Sequence, residues 1–121
     1  EWLSELGYDA PPATPEEFKE MACAAAQQPF SKATSEGSLG YELSIDASRF
    51  ASWTFAFGGD IFDGSQYTLN SDAAANAMTF IQSLFTDGCA SIVTEDFGDQ
   101  TNFGAGRTLF TVGSSSGLPF Y

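Results

Sequence analysis

Gly113-Ser114-Ser115-Ser116-Gly117 is the stretch whose residue types first suggest chemistry. It matches the G-x-S-x-G pattern, in which a serine is presented on a sharp turn between a strand and a helix. It also follows Thr108 to Val112, a nearly continuous apolar run that reads as a buried strand. In a hydrolase, Ser115 would be the nucleophile. A serine attacks when a base takes its proton, and the usual base is histidine. The chain contains no histidine. Two other readings stand beside the hydrolase. A strand that leads through small residues into a helix start offers free backbone N–H groups and the hydroxyls of Ser114, Ser115 and Ser116 to a polar ligand, with Gly113 and Gly117 allowing close approach. The same residues also make an ordinary turn that caps a helix.

A second cluster, Asp46-Ala47-Ser48-Arg49, ends another expected strand, Tyr41 to Ile45, and opens a helix. Ligands of open α/β sheets sit beyond the carboxyl ends of strands. Both clusters lie at such ends, so Asp46, Ser48 and Arg49 join the serines as candidate ligand-binding residues. Arg49 either meets a hydroxyl or anionic group or pairs with Asp46 on the surface. Trp53 either stacks on a sugar face or packs in the core, and Phe50 reads as core. Asp60-Ile61-Phe62-Asp63-Gly64-Ser65 has Phe62 where a calcium loop needs an oxygen ligand, so it reads as a hairpin tip. Glu16, Glu17 and Glu20 complement a helix dipole.

Composition narrows the classes further. The 121 residues carry 4 Lys plus Arg against 16 Asp plus Glu, a net charge of −12. The cations Lys19, Lys32, Arg49 and Arg107 are too few and scattered for the basic face that nucleic acid or anionic lipid requires. No run approaches the ~20 apolar residues of a bilayer span. Cys23 and Cys89 are either buried thiols or one disulfide of an exported protein. The ends, Glu1-Trp2-Leu3 and Leu118-Pro119-Phe120-Tyr121, read as cuts within a longer protein, so residues 1–121 are expected to be a single partial domain.

The elements that must position these residues are legible from periodicity and caps. Glu1 to Gly7 reads as the end of a helix. Thr14-Pro15-Glu16-Glu17 carries a cap, a proline at the first helical position and a capping-box partner, and opens a helix to about Gln27. Further helices are expected from Ser48 to Phe57, from Ser71 to Asp87 and, capped by Asp99, through Phe103. Ile61-Phe62 and Tyr67-Thr68-Leu69 read as a β-hairpin. The expected fold class is α/β, with helices packed on a small mixed sheet of two clear core strands plus the hairpin.

Five stretches in this order resemble the C-terminal lobe of bacterial extracellular solute-binding proteins, the maltose-binding-protein-like receptors of ABC importers. They are Pro11-Pro12-Ala13-Thr14-Pro15-Glu16-Glu17-Phe18, the Phe50 to Phe57 helix into Gly58-Gly59-Asp60, Tyr67-Thr68-Leu69-Asn70-Ser71, Phe103-Gly104-Ala105-Gly106-Arg107 and Thr111-Val112-Gly113-Ser114-Ser115-Ser116-Gly117. The resemblance implies a periplasmic-binding-protein-like (type II) lobe fragment that binds a small solute, a sugar or polyol, without catalysis or cofactor. It implies an ABC permease as partner of the full receptor, with no nucleic acid and no insertion into the membrane. It implies export to the periplasm or to the cell surface on a lipid anchor. Where maltose receptors stack an aromatic on sugar, this chain has Ser115-Ser116, whose hydroxyls suit a smaller, more polar or anionic solute, with a sugar as the family default. In an exported protein whose helices pack side by side, Cys23 and Cys89 are expected to form a disulfide. The alternatives from other classes are the serine hydrolase fragment and an acidic protein-interaction domain.

Overall fold

A computed structural model describes residues 1–121. The chain opens with α1 (Trp2–Glu5) and α2 (Pro15–Gln27), then β1 (Leu39–Leu43) and α3 (Ala47–Ala56). After these come α4 (Asp72–Thr86), β2 (Ala90–Ile92), α5 (Gly98–Gly104), β3 (Thr108–Thr111) and a 3-10 helix, Ser115–Phe120. The class is α/β, and the sheet differs from expectation. It is not mixed and has three strands, in the order β2-β1-β3, with β1 parallel to both neighbours. The additional strand, Ala-Ser-Ile, is too short to show a period of its own. Pairing with β1 makes it a strand (Tyr41 opposite Ala90, Leu43 opposite Ile92). The hairpin reduces to one antiparallel bridge, Phe62 to Tyr67. At its tip, the Gln66 backbone N–H and the Ser65 hydroxyl donate to Asp63 and hold its carboxyl down at about 2.

Local signals account for the helices. Thr14 Oγ1 accepts from the Glu17 N–H at 3.1 Å, and Pro15 takes the first turn. The Glu17 carboxylate reaches one residue further back than a capping box requires and accepts from the Ala13 N–H at 2.7 Å. Of the two candidate caps for α3, Asp46 and Ser48, it is Asp46 that caps, and Ser71 caps α4. Asp99 does not cap α5. Phe97 holds that position in a left-handed conformation (φ 60°), and Asp99 turns inward and is 3% exposed.

The central strand is covered on both sides. Tyr41 faces α2, α3 and α4 in a core with Ala22, Trp53, Ala77, Ile81 and Leu84. Phe18 stacks on Phe110 at 4.5 Å and meets Tyr41 and Trp53 edge-on at 5.4 Å. The next residue, Glu42, faces the other side of the sheet. It is buried there, accepting from the Thr108 hydroxyl and from Asn102 Nδ2 of α5 at 2.9 Å. Trp2, Met21, Ala25 and Leu109 form a second cluster, with Trp2 stacked on Phe30. Cys23 and Cys89 form a disulfide that joins α2 to the residue before β2, with Cα atoms 4.5 Å apart.

β1 begins at Leu39, two residues before the expected start, because Gly40 belongs to it. A Cβ at Gly40 would overlap the carbonyl of Ala22 on α2 and crowd that of Cys89. Glycine lets the helix and both strands close at this point. Gly40→Ala is therefore expected to lose about 3 kcal/mol, an overpacking cost with no side chain free to give way. Urea unfolding of the variant checks this; a midpoint equal to wild type would mean the layers can separate without cost.

Candidate functional site

Because the strands are parallel, their carboxyl ends share one edge of the sheet. The segments leaving β1, β2 and β3 there enclose an open cleft of about 510 Å³. Ser44, Asp46 and Arg49 line it from the β1–α3 segment; Asp96, Phe97, Asp99 and Gln100 from the β2–α5 segment; Ser114, Ser116, Gly117 and Phe120 from beyond β3. The α3 and α5 layers lie on opposite faces of the sheet, so the loops diverge and leave a crevice between the strand ends.

The β1 loop is internally braced. Asp46 Oδ1 accepts from the Ser48 N–H at 2.8 Å, the Ser48 hydroxyl at 2.6 Å and the Arg49 N–H at 3.0 Å. The Ser48 hydroxyl foremost, then the Arg49 amide, keep the Asp46 carboxyl below its usual range. Arg49 Nη1 pairs with Asp46 Oδ2 at 3.1 Å, and Nε donates to the Val112 carbonyl at 2.7 Å. The pairing with Asp46 read from sequence is present, and Arg49 also ties the β1 loop to the end of β3 at the wall of the cleft. Its Nη2 makes no hydrogen bond within the chain and is the guanidinium nitrogen left for a ligand.

Beyond β3, Ser116 N–H donates to Ser114 Oγ at 3.3 Å and the two hydroxyls lie 2.9 Å apart. Asp99 Oδ2 accepts from the Thr111 hydroxyl at 2.6 Å. Ser115 is exposed. Gly113 and Gly117 make room for a different group than expected. The ring of Tyr121 folds back against both, edge-on to Phe103 at 5.7 Å, and a Cβ at Gly113 would collide with its hydroxyl.

The cleft therefore gathers Asp46, Arg49, Ser114 and Ser116 from the candidates and leaves out the others. Ser48 supports Asp46 from outside the lining. Ser115 is exposed and does not line the cleft. Trp53 is 8% exposed in the core, where its Nε1 donates to the Tyr41 hydroxyl at 2.9 Å. The burial around them raises the Tyr41 hydroxyl to about 12, against the pull of that hydrogen bond. Trp53 thus follows the helical period into the core. The residues missed from sequence are Ser44, Asp96, Phe97, Asp99, Gln100 and Phe120. The signal that could have found most of them is β2: once it is a strand, Asp96 to Gln100 stand at its carboxyl end.

No three acidic side chains come close enough together to hold a metal ion. No helix is long and apolar enough to cross a membrane. Neither a protein-family profile nor a curated protein sequence matches the chain.

Proposed function

We propose that the chain is a non-catalytic solute-binding module, part of the C-terminal lobe of an exported receptor that delivers a sugar or polyol to an ABC permease. The observation that carries this reading is the convergence of all three parallel strand ends on one polar cleft. Its volume, about 510 Å³, falls in the range of about 300–1,000 Å³ usual for small-molecule sites. Hydroxyls of Ser44, Ser114 and Ser116 donate and accept, as sugar hydroxyls demand. Arg49 and Asp46 are fixed in place before any ligand arrives, which lowers the ordering cost of binding. Ile45, Phe97 and Phe120 stand exposed at the same edge (76%, 71% and 72%), an apolar rim suited to a second lobe closing over the solute. The Cys23–Cys89 bridge fits export, to the periplasm or, with a lipid anchor, the cell surface.

In the isolated chain the hydrogen bonds face water on one side and gain little net energy. Sugars are expected to bind with millimolar affinity, read by amide chemical shifts at the cleft. A Ser114→Ala/Ser116→Ala variant should bind about 0.5–1.5 kcal/mol more weakly, the net worth of hydrogen bonds exchanged with water. Its melting temperature should stay near wild type, because Ser114 and Ser116 are exposed. Equal affinity in variant and wild type would remove the serines from the site; tight micromolar binding would rule out a one-walled receptor piece.

A further inference from the structure

The charge of the cleft says more about its solute than the shape does. Arg49 is the cation in the lining, and its charge is matched by Asp46 at 3.1 Å. Asp96 and Asp99 line the same space with no lysine or arginine nitrogen within 4.0 Å of either. Asp99 belongs to a residue only 3% exposed. One of its oxygens takes the Thr111 hydroxyl; the other has no hydrogen-bond donor in the chain and is not sealed off from solvent. That oxygen is free to accept from a donor on whatever displaces water there. The rings of Phe97 and Phe120 border the same volume, and aromatic faces attract cations and repel anions. No three acids converge as metal ligands do, and an organic cation supplies the matching charge.

We propose that the solute carries a protonated amine, as an amino sugar does, with the ammonium held by Asp99 and Asp96 between the two phenylalanine rings. This rests on the solute-binding reading above and names the chemical class of its ligand. The hydroxylated body of the solute then faces Ser114, Ser116 and the free nitrogen of Arg49. An N–H of the ammonium satisfies the open oxygen of Asp99, which a neutral hydroxyl does with a bond about half as strong. A carboxylate-bearing sugar would meet the same two acids as repulsion.

The test is titration of the 121-residue chain with glucosamine, glucose and glucuronate, followed by amide chemical shifts at low salt. Glucosamine should saturate at concentrations at least about tenfold below glucose, with shifts at Asp96, Phe97 and Gln100, and glucuronate should bind weakest. Added salt should erode the glucosamine advantage. Asp99→Asn should lower the ratio of glucosamine to glucose affinity. Because Asp99 also holds Thr111, the exposed Asp96→Asn serves as the second variant and should lower the ratio as well. Glucose binding as tightly as glucosamine at these amides would overturn the amine and leave the receptor reading standing. Shifts from none of the three sugars would overturn the receptor reading itself. An unchanged ratio in Asp96→Asn, with Asp99→Asn folded and also unchanged, would remove both acids from recognition.

Discussion

Reduction of the Cys23–Cys89 bridge is expected to lower the stability of the chain by about 4 kcal/mol. The cysteines are 66 positions apart, and a cross-link over a loop of that length removes about that much entropy from the unfolded ensemble. The place of the bridge in the fold adds to this effect. It joins α2 to the start of β2, the short edge strand whose place in the sheet depends on three residues of pairing. A melting scan with and without a reductant should show a fall of roughly 10–20 °C. The Cys23→Ala/Cys89→Ala variant should melt at the lower temperature in both conditions. Coincident melts of the oxidised and reduced chain would mean that packing of Ala22 and Cys89 around Tyr41 suffices to hold the layers. Mass spectrometry supplies the independent check: the native chain should take up no alkyl groups under denaturing, non-reducing conditions.

Trp53→Ala is expected to cost about 3–5 kcal/mol, the range for removing a large aromatic from a packed core. Trp53 touches Phe18, Tyr41 and Phe80 ring to ring, at 5.4, 5.7 and 5.5 Å. Its loss opens a cavity between α2, α3 and α4 and leaves the buried Tyr41 hydroxyl without its donor. Trp53→Phe keeps most of the volume and loses the N–H, so it should cost less, about 1–3 kcal/mol for the orphaned hydroxyl. Denaturant unfolding followed by circular dichroism separates these from a binding role. Should Trp53→Ala retain full stability while sugar-induced shifts vanish, the residue would belong to the solute and not to the core.

Much of the fold was legible locally because its causes are local. Thr14, Asp46 and Ser71 sit immediately before helices whose first-turn N–H groups need acceptors, and each accepts as expected. Gly7, Gly88 and Gly106 stop helices with positive φ, where a side chain would be strained. The period of three and four in Phe50, Trp53, Thr54 and Phe57 sorted the α3 residues, and it correctly argued Trp53 inward even though the residue was also held as a ligand candidate. The two strand-end clusters at Asp46 and Ser114 were visible as small, polar breaks after apolar runs.

The rest depended on contacts between distant parts of the chain. Ala90-Ser91-Ile92 carries no pattern of its own; it is a strand because Tyr41, Glu42 and Leu43 lie beside it. Without that strand, Asp96, Phe97, Asp99 and Gln100 look like residues of an ordinary loop, and a helix-cap reading of Asp99 is reasonable. Only the approach of β3, with Thr111 bonded to Asp99, turns that acid inward. Glu42 alternates as a polar residue of a half-exposed strand should, yet it is buried because α5 and Thr108 cover the second face and supply its donors. Sequence alone determined where the helices start, which helix faces are apolar, that these 121 residues hold no histidine, and which loops carry hydroxyls and charge. Tertiary structure decided which of those loops share a cleft. Caps and periodicity act over a few residues, whereas the meeting of three strand ends is set by pairing between distant segments, Tyr41 with Ala90 and Leu39 with Thr108.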